Sequence, residues 1–487
     1  MNKLQKKHLL EKIMDILFLS TIFFIPIEIS LNLRFLKFIS PYKISILLLS
    51  LVFVYNFVTY YKEELQNIKK SLIEMYYRYK YVIITVTIYF LFDLISLLWT
   101  KDVRFALRKY ITIIPMIVLF LYSCLYYFRV NDDLSRYQKT RYVALSMGLM
   151  AFALSLATWI VYLVNNRTYY ILRMSLSPDY NQFTLSIILG FLCGMYFILT
   201  TKDIQSKLVS FFCYTLTIMP LFHLSGSRRT MLIYLPLYAV LSIFLLVELN
   251  RKKNRNLMIL AIAIVVSVPL LNQMLIEGYN VHSSKVYKKM YDESVEAGKE
   301  LVSAAESKEE SIIHDFKLEQ NLQFKSDTIK TGEAFQARNT LWKIATDEIK
   351  SYNTIELLIG KGASHQRDVF RTDEAVKVLF PDEQPQEFSG YIHPHSMIFV
   401  ELLNGGIIKL IIVLAIIISV LYYAYIAFVN KTFYGVLLIL LYGAVFLSSQ
   451  VIDSIFGLLE SRLTWIFFIL VLGIVSYNGK DLRRELV

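Results

Sequence analysis

The feature that most limits what this chain can fold into is a series of uncharged apolar runs. Each is about 18 residues or longer, and they recur from one end of the sequence to the other. A run of that length wound as an α-helix crosses a hydrocarbon core and satisfies every backbone hydrogen bond within itself, as lipid demands. A β-barrel would read as short alternating segments, whereas these runs are continuous. Composition agrees, with 56% of the 487 residues hydrophobic, only 18% charged and a mean hydropathy of +0.49. The sequence therefore predicts an all-α integral membrane protein with about 12 transmembrane helices. They are expected near 13–31, 41–60, 81–99, 109–128, 143–164, 183–200, 207–223, 230–249, 257–276, 406–429, 433–451 and 461–477. That pattern divides the chain into an N-terminal membrane region (1–276), a large, mainly helical external loop between spans nine and ten (277–395), and a C-terminal membrane region (396–487).

Charge sets the expected orientation, because Lys and Arg concentrate on cytoplasmic loops. With the N-terminus inside, the inner segments carry about 23 Lys and Arg against about 11 on the short outer loops. The N-terminal stretch MNKLQKKHLLEK has the basic start of a signal peptide but lacks a small-x-small cleavage site, so it reads as a retained first span. Both termini are then cytoplasmic and the 277–395 loop lies outside. The net charge of +12 resides mostly on the inner face, opposite anionic membrane lipids, and does not call for nucleic acid. Cys124, Cys193 and Cys213 sit inside apolar runs and read as small core residues, not as disulfide or zinc partners.

The first half of the outer loop is charged and poor in glycine, which predicts one or two exposed helices. Its second half contains ARNTLWKIATDEIKSY, an amphipathic helix with Leu341, Ile344, Ala345 and Ile349 on one face. There follow the glycine turn ELLIGKGAS and the stretch YIHPHSMIFVELLNGG, where His393 and His395 stand just ahead of an apolar run. A metal would want further ligands, and no Cys or HExxH-like partner is near. An imidazole at a membrane edge suits acid/base work, while spacing alone equally describes two solvated loop histidines. Of the two, His395 is better fixed, since it opens the entering helix while Pro394 holds His393 apart.

Other polar positions cluster at the outer edge. Arg228 and Arg229, in SGSRRTM, run against the inside bias; their planar forks match phosphate oxygens, or they snorkel to lipid headgroups. Arg338 precedes Trp342 by four residues, so the two share a helix face, an arrangement that packing alone also explains. In SPDYNQF, Asp179 and Asn181 precede span six, where a helix cap is the simpler role. Within the spans, Glu28 and Asp93 are carboxylates that need a partner or a cavity.

Taken in order, these pieces resemble the bacterial O-antigen ligase and O-antigen polymerase superfamily. The match is carried by His395-Ser396, nine residues and then Gly406; by LLWTKD (Leu97 to Asp102), PDYN (Pro178 to Asn181) and GSR (Gly226 to Arg228); and by Arg338-x-x-x-Trp342 followed by IGKG (Ile359 to Gly362). The pattern usually has a second glycine three residues after the first, where this chain has Lys409, a departure that bears on helix packing there. The resemblance implies many membrane helices, with an external loop over a lipid-facing cavity. It implies transfer of glycan from an undecaprenyl-pyrophosphate carrier to an acceptor hydroxyl, either a growing glycan or a lipid A core, on the outer face of the inner membrane. His395 would be the general base, Arg228 and Arg338 would hold the pyrophosphate, and Asn181 would complete substrate binding. No metal or cofactor is implied, and a chain-length regulator is a possible partner. Polymerase is slightly favoured over ligase. From other classes, a lipid-linked glycan flippase would be expected to show paired halves or broken midplane helices, and no repeat is apparent; a non-enzymatic assembly scaffold is the third alternative.

Overall fold

In this computed structural model the described residues are 3–31, 40–165, 174–177, 180–225, 227–251, 255–304, 331–370, 394–453 and 457–479. They are helical almost throughout, with no strand among them. In chain order the helices are α1 (Lys3–Leu31), α2 (Pro41–Thr59), α3 (Tyr61–Ser96), α4 (Val103–Phe128), α5 (Asp133–Asn165), α6 (Tyr180–Leu199), α7 (Ile204–Leu224), α8 (Arg228–Arg251) and α9 (Arg255–Ala304). After these come α10 (Thr331–Lys350), α11 (Thr354–Ile359), α12 (His365–Val369), α13 (Met397–Val429), α14 (Phe433–Asp453) and α15 (Arg462–Val475).

Eleven of these helices are long and apolar enough to cross a membrane. Prolines lie inside α1, α4, α7, α8 and α9, a tolerance typical of membrane helices, where neighbours satisfy the freed carbonyls. Exposed leucine, isoleucine and valine side chains line α2 and the outward side of α13, as lipid contact requires. The centre of the bundle is α6, buried around nearly its whole circumference between α1, α5, α7, α8 and α14.

Three elements differ from expectation. The last apolar run forms only a 14-residue helix, α15, about 21 Å long and shorter than a hydrocarbon core. It is buried from Leu463 to Val475 against α4, α5, α13 and α14. Second, α9 does not stop near residue 276 but continues to Ala304, because the charged segment after the span contains good helix formers and no strong stop signal. Third, α3 joins the third span to the basic segment before it in one 36-residue helix, kinked at Tyr79 (φ −134°, ψ 22°). The amphipathic helix expected in the outer loop is α10: Leu341 and Ala345 are buried, with Ile344 and Ile349 packed beside them. Within the expected loop, residues 305–330 and 371–393 lie outside the described residues.

Candidate functional site

The site is organised by a break in α13. Gly406 has φ 62° and ψ −160°, a left-handed conformation that cannot continue an α-helix. The carbonyls just before such a break lose their usual partners four residues on. Here the IGKG turn supplies replacements: Lys361 N–H donates to the Leu403 carbonyl (3.3 Å) and Gly362 N–H to the Asn404 carbonyl (3.0 Å). The Tyr352 hydroxyl adds a second bond to Leu403 O (3.1 Å), and Gln366 N–H donates to Asn404 Oδ1 (3.1 Å). Backbones approach too closely for side chains here. A Cβ on Gly360 (φ 69°) would lie 2.4 Å from the Asn404 carbonyl, and one on Gly406 would lie 2.5 Å from that of Leu358. Thr100, from LLWTKD, closes over Gly362, where an added Cβ would sit 2.5 Å from its Oγ1. Three of the motifs singled out in the sequence are therefore one packed unit.

His395 stands at the head of this unit. It has φ 49°, in the left-handed region that a non-glycine residue occupies only when its surroundings hold it. Part of that hold comes from Trp342, whose indole N–H donates to the Pro394 carbonyl (2.8 Å) while its ring packs against Phe399 (centroids 6.2 Å apart). Leu341, Ala345, Val369, Phe370 and Leu403 form a small apolar core that docks α10 and α12 on the first turns of α13. Arg338 lies one helical turn before Trp342 in α10, which brings its backbone into this assembly. The indole that the sequence paired with Arg338 thus has a hydrogen-bonding task of its own. His393 lies outside the described residues.

PDYN and GSR also meet, as a second group. The Ser227 hydroxyl donates to Asn181 Oδ1 (3.3 Å), joining the first turn of α6 to the residue before α8. Asn181 is inside α6, not at its cap. Arg228 is the first residue of α8, followed by Arg229. Asp179 and Gly226 lie outside the described residues.

Beneath the kink is a charged cluster that sequence reasoning did not assemble. Lys409, at the position where the resemblance expects glycine, is fully buried, its Nζ 2.5 Å from Asp93 Oδ1 and 3.1 Å from Glu401 Oε2. Glu401 also accepts the Tyr89 hydroxyl (2.9 Å) and the Leu458 N–H (2.8 Å), and the ammonium lies 4.7 Å from the centre of the Tyr89 ring. The close packing that a glycine would have given is replaced here by an ion network tying α13 to α3 and to the turn before α15. The signal was present, since a lysine in an apolar run demands a carboxylate; Glu401 is near it on the same helix, but Asp93 is remote in sequence. Glu28 likewise has a partner, Arg462 at 3.1 Å.

On the outer segment, Glu348 Oε1 receives both Lys361 Nζ (2.7 Å) and His365 Nε2 (3.0 Å). Burial pushes the His365 imidazole below its ordinary value, against the pull of Glu348. Burial works to raise the Glu348 carboxyl, but the bonds from Lys361 and His365 outweigh it and hold it below the usual range. This pair pins the IGKG turn to α10. No His, Cys, Asp or Glu grouping suited to a metal ion occurs among the described residues.

No family model matches this chain, and no curated protein matches it.

Proposed function

We propose that this protein is an inner-membrane glycosyltransferase acting on lipid-linked glycan, of the O-antigen polymerase or ligase type, with polymerase slightly favoured. The observation that carries the reading is the convergence of LLWTKD, IGKG and the His395-to-Gly406 stretch, far apart in sequence, into one closely packed unit headed by His395. In this reading the chain has about twelve membrane segments, α15 included, with both termini cytoplasmic and α10 to α12 outside.

The chemistry follows from the residue types. The acceptor hydroxyl attacks the anomeric carbon of the carrier-linked sugar, forming the new glycosidic C–O bond as the bond to the pyrophosphate breaks. His395 takes the hydroxyl proton, and the bonding electron pair leaves on the pyrophosphate oxygen. Arg228 and Arg338 hold that pyrophosphate and stabilise its growing charge, with Asn181 positioning substrate beside Ser227. Bond energy in the sugar–pyrophosphate link drives transfer, so no nucleotide is consumed.

The test is incubation of purified protein with undecaprenyl-pyrophosphate-linked repeat units. A lengthening ladder identifies a polymerase, and single transfer to a lipid A core identifies a ligase. Movement of substrate between leaflets without any new glycosidic bond would replace the enzyme reading with a flippase.

A further inference from the structure

The first half of α3 has a geometry that a membrane span does not explain. From Tyr61 to the kink at Tyr79 it is bonded in turn to the ends of three membrane-length helices. Glu63 and Glu64 pair with Lys7 of α1 (2.5 and 3.7 Å), Glu64 with Arg129 just after α4 (3.7 Å), and Glu74 with Arg136 of α5 (2.9 Å). Lys70 bonds Asn131 between the last two. The start of α1, the end of α4 and the start of α5 share one membrane face, the one rich in Lys and Arg. A helix tied to all three runs across that face, in the membrane plane.

Its faces are sorted accordingly. Glu64, Ser71, Met75 and Tyr79 are buried at helical spacing against the bundle. To one side of them, Tyr61, Leu65, Leu72 and Tyr76 form an exposed apolar stripe. Lys62 and Lys69, both exposed, lie along the outer border of that stripe about two turns apart. An apolar stripe edged by lysines, held at the level where helices leave the bilayer, fits acyl chain on one side and headgroup on the other. Tyrosines at this level are further interfacial anchors.

We infer that residues 61–79 form an in-plane helix that binds anionic phospholipid on the cytoplasmic face, the acyl chains against Leu65 and Leu72 and the phosphate against Lys62 and Lys69. A zwitterionic lipid would meet the apolar stripe but leave the lysines without a net anion. The site does not depend on the transfer reaction and stands or falls separately from it.

The test is native mass spectrometry of the full-length protein in detergent, titrated with phosphatidylglycerol or phosphatidylcholine. Wild type should retain phosphatidylglycerol in preference. Each lysine near the surface is worth about 1 kcal/mol, so Lys62→Gln with Lys69→Gln should weaken phosphatidylglycerol retention on the order of tenfold or more and leave phosphatidylcholine unchanged. A charge-matched control, Lys343→Gln with Lys350→Gln on α10, should keep the preference. All four lysines are exposed, so the substitutions leave the packed core untouched, and Lys69→Glu alone provides a second variant with the same expected direction. Unchanged preference in the Lys62/Lys69 variants, or equal loss in the α10 control, overturns the inference.

Discussion

Replacing Lys409 by methionine tests whether the ion network beneath the kink holds α13 in place. The side chain is wholly buried, and so are its partners Asp93 and Glu401. Methionine keeps most of the stem volume and removes the charge, leaving two carboxylates with no cation in a water-poor site. Breaking a buried pair by removing one partner typically costs about 3–5 kcal/mol, because the remaining charge is uncompensated. Here two carboxylates are left, so the upper part of that range applies. Lys409→Gly, which restores the residue the resemblance expects, should be worse, since it adds a cavity to the same charge defect. Neutralising the partners as well, with Asp93→Asn and Glu401→Gln alongside Lys409→Met, should recover most of the loss, because the amide oxygen introduced by Glu401→Gln can still accept from Leu458 N–H and the Tyr89 hydroxyl. The assay is SDS-driven unfolding from dodecyl maltoside micelles, followed by circular dichroism and read as the shift in midpoint. A Lys409→Met midpoint equal to wild type would refute the argument, as would a triple variant no better than the single one.

Four other outcomes are expected. His395→Ala should abolish transfer from lipid-linked donor with the fold intact, a loss of about 10²–10⁴-fold for a general base, while His393→Ala retains much of the activity; a twofold change at His395 in the transfer assay would contradict the role. Arg338→Lys and Arg228→Lys keep charge but lose the planar fork, so activity in that assay should fall well below wild type, with Arg229→Lys more tolerant. In a Cys213→Ser background, which removes the exposed native thiol, Lys343→Cys should react with an impermeant thiol reagent on intact spheroplasts, and Lys69→Cys only after permeabilisation; the reverse would invert the topology. His365 is held below its ordinary value of 6.5, so the unfolded segment takes the proton first as pH falls, and its contribution is present above about 6.5 and lost below it. Hydrogen exchange corrected for intrinsic rate should show protection of 341–369 falling between about pH 6.5 and 5, a dependence that His365→Gln removes; a flat wild-type profile would show that the imidazole does not titrate with docking.

The helical class was legible because apolar runs of spanning length admit few alternatives in lipid, and the described residues include eleven helices able to span. Hydropathy measures apolarity and not helix length or burial, so it did not show that α15 would have only 14 residues or be enclosed by protein. Windows tuned to lipid also ended α3 and α9 at the edges of their apolar stretches, whereas helix propensity carries both across charged sequence. At the site, glycines at Gly360, Gly362 and Gly406 stand at the positions where backbones touch. The Lys409–Asp93–Glu401 network could not be built from the sequence. A buried ammonium states that it needs carboxylates, but Asp93 and Tyr89 lie on α3, more than 300 residues before Glu401 in the chain.

The spacing from His395 to Gly406 has a physical reading in this structure. His395 is fixed at one end by the Trp342 bond to Pro394, and Gly406 at the other by the IGKG backbone. Between them lie about two and a half turns of helix, some 15 Å of rigid rod, with both ends pinned by the outer segment. Adding or deleting one residue would rotate His395 by about 100° relative to that segment. Glu401, on the rod itself, reaches the turn before α15, and below Gly406, where the rod changes direction, Lys409 grips α3. The outer segment thus sets where the imidazole stands, while the buried ions set where the rod enters the bundle. A loss of the ions that left His395 in register would reduce stability more than turnover, and a loss of Trp342 would do the opposite.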